Sequence, residues 1–235
     1  MLQVFDFLVL LPLAFPLPLH GRMMIPPLPD SSSGQENENK VKVEIFYESL
    51  CPDSKNFFVD TLEPSLSSQL IQYISITLVP YGKAQVTIHS PAPYQFSCQH
   101  GPLECEGNKY HNCAQKYLKN QSWRIKLTTC MFKKVFTSLS KTDWSKVVED
   151  CSEQLGLSTY LPRIQKCAGS LEGSELLHQA GVKTGVRNFI PTVVLSVGRD
   201  GEQMVLDNRE LVKDFKNKIC DIIHVKLGKI IQPCQ

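Results

Sequence analysis

The sequence predicts a mixed α/β protein whose elements run β-α-β, then a helical block, then β-β-α. Three observations support this prediction. A short apolar strand is followed at once by an amphipathic helix and a second strand rich in β-branched residues. A cysteine-rich stretch with helical spacing fills the middle of the chain, and two further strands and a closing helix follow it. A β-α-β unit usually builds a parallel sheet, so at least part of the sheet should be parallel.

The first half of this pattern begins with residues 41–47 (VKVEIFY), which alternate and then turn apolar, as a strand does. Pro52 stands where a proline favours the start of a helix. Apolar residues at helical spacing continue through 53–71, with a kink predicted at Pro64. Residues 73–80 (YISITLVP) form the second predicted strand.

The remaining elements are predicted from the same kinds of signal. Residues 81–100 show no regular periodicity and are predicted to be a loop. Strands are predicted over 190–197 and 202–206, on either side of a Gly-Arg-Asp-Gly turn. An amphipathic helix over 208–226 closes the chain.

Composition narrows the class of protein. Of 235 residues, 42% are hydrophobic and 20% charged, which is ordinary for a globular protein. A net charge of +2 gives no reason to expect nucleic-acid binding. Beyond the N-terminus, no stretch approaches the roughly 18 apolar residues that a membrane span needs, so no membrane association is expected.

The N-terminus carries an apolar run, FLVLLPLAFPLPL, at residues 7–19. It is too short and too rich in proline to span a bilayer, and it fits a signal peptide over 1–21. Residues 22–40 are predicted to be a flexible linker and 41–235 the folded domain. The alternative is an apolar extension of a cytosolic protein. The sequon at Asn120 agrees with a secretory route, which predicts a secreted or lysosomal glycoprotein.

Cys51 is the candidate nucleophile because of its position between the first strand and its helix. A helix N-terminus favours the thiolate and lowers a cysteine pKa, and the thiolate is the form that attacks disulfides. A carboxylate at Asp53 acts in the opposite direction. Ser54 occupies the position where a C-x-x-C motif would have its second cysteine. A hydroxyl cannot resolve a mixed disulfide, although it can hydrogen-bond a thiolate.

Nine cysteines, an odd number, leave at least one unpaired thiol in a monomer. Two pairings look local in the sequence, Cys151 with Cys167 and Cys220 with Cys234. The four at positions 98, 105, 113 and 130 can then pair among themselves in three ways. This arithmetic leaves Cys51 as the free thiol. The alternative is that Cys51 itself pairs with another cysteine.

Residues 98–113, CQHGPLECEGNKYHNC, resemble the signature of the γ-interferon-inducible lysosomal thiol reductase (GILT) family. The matching positions are Cys98, Gln99, His100, Gly101, Glu104, Cys105, Asn108 and Cys113. Residues 47–52 (YESLCP) and 76–85 (ITLVPYGKAQ) are similar to other family segments. The later cysteines also fall where the family places them. The resemblance covers about residues 41–234.

The resemblance implies a thioredoxin-like fold with a disulfide-stapled helical insertion at about 98–184, similar to the DsbA arrangement. It implies a secreted or lysosomal enzyme that reduces disulfides of protein substrates through Cys51. Pro191 is expected to be the cis-proline that lies beside the nucleophile in such folds and binds substrate backbone. Ser54 departs from the C-x-x-C that family members often use, which puts the ordinary dithiol cycle in doubt.

Two further sets of residues in the signature have alternative interpretations. His100 fits either a catalytic base or a structural hydrogen bond within the stapled loop, and the second is favoured. Cys98, Cys105, Cys113 and His111 have the chemistry of a zinc site, but bridged cysteines are expected in an oxidising compartment. We therefore expect no metal and no bound cofactor, with an external small thiol as the reductant.

Three functions follow from a single active-site cysteine. In the first, Cys51, supported by Ser54 and Pro191, attacks a client disulfide, and an external or client thiol resolves the mixed disulfide. In the second, the protein binds or traps clients without turnover. In the third, the chemistry is lost and Cys51 links two chains as a disulfide homodimer.

Overall fold

The computed structural model describes residues 40–88, 94–137, 142–198 and 202–234. The main sheet has four strands in the order β2-β1-β5-β6. Their bounds are β1 Val41–Tyr47, β2 Ile74–Pro80, β5 Thr192–Val197 and β6 Gln203–Leu206. β1 and β2 are parallel, as the β-α-β pattern predicts, whereas β5 runs antiparallel to β1 and β6 antiparallel to β5. The predicted signal peptide over 1–21 and the linker over 22–40, apart from Lys40, lie outside the described residues.

The connection between β1 and β2 contains four helical segments. Three are consecutive, α1 Pro52–Asn56, a π-helical segment Phe57–Leu62 and α2 Glu63–Ser65, and a 3-10 turn Leu70–Gln72 follows. The Glu63 N–H bonds to the carbonyl of Phe58, five residues back. This wider turn immediately precedes Pro64, which has no N–H to donate and whose ring crowds the preceding turn. The irregularity predicted at Pro64 is therefore present as a π-helical segment, and the helix ends at Ser65 and not at residue 71.

Residues 81–100, predicted to be a loop, contain a second, two-stranded sheet. Its strands are β3 Gln85–Ile88 and β4 Gln95–Ser97, paired antiparallel with an irregularity in register. They are short and largely exposed, so they lack the apolar alternation on which the sequence prediction depends.

In its described residues, 98–137 and 142–191, the helical insertion between β4 and β5 contains five helices. Their bounds are α3 Pro102–Tyr117, α4 Gln121–Val135, α5 Trp144–Gln154, α6 Leu161–Ala168 and α7 Leu171–Thr184. The helix predicted over 208–226 is two helices, α8 Arg209–Lys213 and α9 Phe215–Leu227, and a 3-10 turn Gln232–Cys234 follows. Among the described helices, none is long and apolar enough to cross a bilayer.

Apolar side chains form separate clusters on the two faces of the sheet and within the insertion. One face of β1 packs with Phe57, Phe58 and the α9 residue Ile219. The other face, at Phe46, packs with Leu177 of α7. The insertion has its own core around Trp144 and four of the cysteines. Helices therefore cover both faces of the sheet, and five of the seven β1 residues are buried.

Four disulfides cross-link the protein, and their pairing agrees only partly with the sequence prediction. The four bonds are Cys98–Cys105, Cys113–Cys167, Cys130–Cys151 and Cys220–Cys234. The predicted pairing of Cys220 with Cys234 is confirmed. The predicted pairing of Cys151 with Cys167 is wrong. So is the pairing of the first four cysteines among themselves, apart from the Cys98–Cys105 bond.

The reason for the different pairing is helix packing. Cys151 on α5 faces Cys130 on α4, with 5.8 Å between their Cα atoms. Cys167 on α6 faces Cys113 on α3, with a Cα separation of 5.9 Å. Both separations suit a disulfide, whereas proximity along the sequence does not decide which faces of the helices meet.

One close contact in the insertion provides a stability test. Gly107 on α3 lies against the buried Trp144 indole, and a β-carbon there would also approach Ser49 Oγ to 2.5 Å. Alanine stabilises a helix by about 1 kcal/mol relative to glycine. An extra methyl group forced into a packed core, however, costs about 1–3 kcal/mol or more. The indole cannot move freely, because its N–H donates to the Leu103 carbonyl at 2.8 Å. We expect Gly107→Ala to lower the free energy of unfolding by about 1–2 kcal/mol.

Urea denaturation of both variants against wild type measures this effect. Gly169→Ala is the matched control, because a β-carbon at Gly169 meets only the Gln165 carbonyl at an ordinary 3.6 Å. A Gly107→Ala protein as stable as the Gly169→Ala protein would contradict the packing argument.

Candidate functional site

Cys51 lies at the junction of β1 and α1, as predicted. Its side chain caps the helix, and Sγ accepts the backbone N–H of Ser54 at 3.4 Å. Pro52 follows at the first helical position, where a proline has no N–H to leave unpaired. All nine cysteines lie in the described residues, and Cys51 is the free one. The prediction of a single unpaired thiol at this position is confirmed.

The electrostatics of Cys51 differ from those of a simple helix N-terminus. The residue is 8% exposed, and this burial raises the pKa of its thiol. Hydrogen bonds from the Ser54 hydroxyl and backbone N–H lower the pKa, while the nearby Glu48 carboxylate raises it. Desolvation is the largest of these effects, so it outweighs the stabilisation of the thiolate expected from the helix N-terminus. Asp53 is held in an ion pair with Arg209 at 2.8 Å.

Ser54 is fully buried directly behind Cys51. Its Oγ accepts the backbone N–H of Glu48 at 3.3 Å, which ties the helix to the loop that follows β1. Ser54 therefore contacts Cys51 through both its N–H and its hydroxyl, and the hydroxyl oxygen also holds the preceding loop.

Pro191 is brought to Cys51 by the register of the sheet. Thr192, the first residue of β5, pairs with Phe46 near the end of β1. The Ile190–Pro191 peptide bond is cis, as expected from the resemblance. The Cys51 thiol donates a 3.8 Å hydrogen bond to the Ile190 carbonyl. The structure thus brings the three predicted site residues, Cys51, Ser54 and Pro191, to one end of the sheet.

Two cavities lie near this end of the sheet, and Asp53 and Arg209 line both of them. One, of about 370 Å³, is lined by Glu48, Cys51, Pro52, Asp53, Lys83, Gln99, His100, Phe189, Ile190 and Arg209. The second, of about 460 Å³, includes Pro191 and shares Asp53, Phe189 and Arg209 with the first. The thiol therefore lines one cavity, and the cis-proline lines the other.

The signature segment at residues 98–113 supports the loop before Cys51. The backbone N–H of Ser49 donates to Asn108 Oδ1 at 2.9 Å, and Ser49 Oγ donates to the Glu104 carbonyl at 3.0 Å. Both Glu104 and Asn108 are fully buried. The signature residues of α3 therefore hold the backbone that leads into Cys51.

His100 has a hydrogen bond in the stapled loop and also lines the Cys51 cavity. Its Nδ1 lies 2.5 Å from Glu104 Oε2, and its backbone N–H donates to Glu104 Oε1 at 3.0 Å. The Cys98–Cys105 disulfide closes the same loop. The favoured structural interpretation of His100 therefore agrees with its contacts, but the imidazole also stands in the cavity that contains the thiol.

Glu48 is a site residue that the sequence analysis did not single out. Its side chain is buried, and desolvation together with the neighbouring Glu104 charge raises the pKa of its carboxyl to about 7. The signal was present in the sequence, because Glu48 stands three residues before Cys51. No sequence pattern, however, indicates that its carboxylate turns towards residues on α3.

His111 and the signature cysteines do not come together as metal ligands. His111 is buried, burial lowers the pKa of its imidazole to about 3, and Nδ1 is paired with the Tyr47 hydroxyl at 3.1 Å. Cys98, Cys105 and Cys113 are bridged, as expected for an oxidising compartment.

Comparison with known proteins identifies the family. Residues 42–155 match the family model for gamma interferon inducible lysosomal thiol reductase (GILT). A gamma-interferon-inducible lysosomal thiol reductase-like protein from Anopheles gambiae is 31% identical over 192 residues, which cover 78% of this chain and 77% of that protein. The chain belongs to the GILT family. GILT-like protein 1 from Drosophila melanogaster is 34% identical over 151 residues, 62% of this GILT-family chain and 60% of the relative.

Solved structures extend the comparison to the fold. A candidate protein disulfide isomerase from Nitrosomonas europaea superposes with a TM-score of 0.51 at 9% identity, covering 80% of the GILT-family chain and 98% of that protein. DsbA from Xylella fastidiosa aligns with a TM-score of 0.47 at 15% identity, over 80% and 86% of the two chains. The predicted thioredoxin-like fold with a helical insertion is confirmed.

Proposed function

We propose that this GILT-family protein is a thiol–disulfide oxidoreductase that acts on protein disulfides through Cys51 alone. The observation that carries the proposal is the free Cys51 beside the cis Ile190–Pro191 bond, with Ser54 in the resolving position. The cavity at the thiol and the thiol reductase activity for which its relatives are named support the same conclusion.

The reaction that fits one cysteine is a balanced exchange. The Cys51 thiolate attacks one sulfur of a client disulfide, and the other client sulfur leaves as a thiolate that takes up a proton. An external thiolate then attacks the Cys51 sulfur and releases the client thiol. A second external thiolate restores Cys51 and leaves as the small-molecule disulfide. The client gains two electrons, which two molecules of external thiol supply. If a client thiol instead attacks the client sulfur of the mixed disulfide, Cys51 leaves as the thiolate and the client disulfide is rearranged without net reduction.

Pro191 and Ser54 have supporting roles in this proposal. The backbone at Pro191 lies next to Ile190 and the thiol. An extended segment of a client protein can bind along it. Ser54 donates its N–H to Cys51 and stabilises the thiolate that forms when a mixed disulfide is released. No bound cofactor and no metal ion take part in the exchange.

We also propose that the protein follows the secretory route to a lysosome or to the extracellular space. Four disulfides favour an oxidising compartment. Asn120 is exposed, and its Oδ1 accepts the N–H groups of Ser122 and Trp123 as the cap of α4. Glycosylation uses the amide nitrogen, so the cap leaves the sequon available.

The dependence of turnover on external thiol tests the proposed catalysis. The purified protein is mixed with a quenched, disulfide-linked peptide pair and increasing concentrations of free cysteine, and peptide release is followed by fluorescence. A catalyst releases many equivalents at a rate that rises with cysteine. The second candidate, a trap, releases at most one equivalent and accumulates a mixed disulfide. A disulfide homodimer, the third candidate, appears as a dimer band on non-reducing electrophoresis and overturns the proposal if it accounts for all Cys51.

Introducing a second active-site cysteine should increase the rate of peptide release in the same assay. We expect Ser54→Cys to raise turnover about tenfold or more at low external thiol, because attack by a neighbouring thiol replaces a bimolecular step. Ser54→Ala is the matched control, which removes the hydroxyl without supplying a thiol and should give no increase. A folded Ser54→Cys protein with wild-type turnover would contradict a poised Cys51.

A further inference from the structure

Three metal-ligating side chains converge at one wall of the Cys51 cavity. Glu48 follows β1, whereas His100 and Glu104 come from the beginning of the α3 region. One ligand atom from each, two carboxylate oxygens and an imidazole nitrogen, lies within 4.8 Å of the others. The cluster does not include any of the cysteines or His111, and the proposed exchange reaction does not use it.

The backbone fixes the orientation of both carboxylates. Glu48 Oε1 accepts the N–H of Lys83 at 2.6 Å, and Glu104 Oε1 accepts the N–H of His100 at 3.0 Å. The second oxygen of each carboxylate therefore turns towards the His100 ring. His100 Nδ1 lies 3.6 Å from Glu48 Oε2 and 2.5 Å from Glu104 Oε2.

Glu48 Oε2 is the atom that points to a ligand. It is fully buried, and within the described part of the chain it has no hydrogen-bond partner. A buried carboxylate oxygen without a partner is costly, and a bound cation would satisfy it. The His100 side chain is 32% exposed, so the cluster is open to solvent on that side.

We propose that Glu48, His100 and Glu104 form a binding site for a divalent transition-metal ion of the zinc class. An imidazole with carboxylates suits Zn²⁺, whereas Mg²⁺ and Ca²⁺ prefer oxygen ligands throughout. Zinc–ligand distances of about 2.0–2.2 Å require the three side chains to close in slightly around the ion. A neutral imidazole and two carboxylates balance the 2+ charge, and water can complete the coordination on the side open to solvent.

Zinc titration of the full oxidised protein against a chromophoric chelator tests this site and does not depend on turnover. We expect wild type to bind one Zn²⁺, and Glu48→Gln to bind it about tenfold or more weakly, since a lost ligand costs at least as much as a lost outer-shell contact. The amide oxygen of glutamine can still accept the Lys83 N–H, which favours a folded variant. His224→Gln, which alters an exposed histidine on α9, is the matched control and should bind as wild type does.

Two further variants separate loss of the site from misfolding and from zinc binding by the free thiol. His100→Gln should weaken binding in the same way, and it replaces Glu48→Gln if that protein does not fold. Cys51→Ala should still bind one Zn²⁺ through Glu48, His100 and Glu104. Equal binding by wild type and both cluster variants would overturn the proposal. Binding that is lost in Cys51→Ala but kept in Glu48→Gln would also overturn it, because the free thiol would then be the binding group.

Discussion

Replacing Cys51 with serine should reduce thiol–disulfide exchange by this protein to the uncatalysed rate. Cys51 is the free cysteine, and a serine hydroxyl is too weakly acidic to supply the nucleophile at neutral pH. Serine is also a preferred helix N-cap, so it can accept the Ser54 N–H as the sulfur does. The variant therefore removes the chemistry and retains the fold. The peptide-release assay with free cysteine measures the loss.

Alkylation with mass mapping provides the control for this prediction. In the unreduced wild-type protein, iodoacetamide should modify Cys51 and leave the eight bridged cysteines unmodified. Cys51→Ser should show no modification and should unfold at the wild-type urea concentration. Substantial turnover by Cys51→Ser would show that a bridged cysteine, such as the loop pair Cys98–Cys105, carries the exchange.

Removing the disulfide between Cys113 and Cys167 should cause the largest loss of stability among the bonds of the insertion. It joins α3 to α6 across 54 residues, and both cysteines are fully buried. The chain-entropy estimate for a loop of this length is about 4 kcal/mol. We therefore expect the double variant Cys113→Ala/Cys167→Ala to lose about 4 kcal/mol in free energy of unfolding, measured by urea denaturation under non-reducing conditions.

The double variant Cys220→Ala/Cys234→Ala is the matched comparison. Its bond closes 14 residues near the C-terminus, for which the same estimate is about 3 kcal/mol. Peptide mapping should show Cys130 joined to Cys151 in both variants. If the Cys113 variant is no less stable than the Cys220 variant, loop length does not control the stability of the insertion.

The fold could be predicted well where the sequence pattern is local. β1, β2 and β5 are apolar and rich in β-branched residues, and their positions differ from the predictions by at most two residues. The pair β3 and β4 was missed, because short exposed strands carry no alternation that distinguishes them from a loop. The division of the last helix into α8 and α9 was missed for a similar reason, since the amphipathic pattern continues across Asp214.

The site was predictable as a set of residues, but not in its electrostatics. Position alone indicated Cys51, and resemblance indicated Pro191. The direction of the Cys51 pKa could not be predicted, because burial is the largest effect on it and burial depends on how residues distant in sequence, such as Ile190, pack around the sulfur.

By itself, the sequence determined the family, the odd number of cysteines and the junction at which Cys51 stands. These depend on residue identity, counting and local periodicity. Only the tertiary structure decided the partners of Cys113 and Cys151, the burial of the thiol, and the meeting of Glu48 with His100 and Glu104. The physical reason is that helix packing and strand register join residues from 21 to 139 positions apart, and no short-range pattern specifies which side chains then face each other.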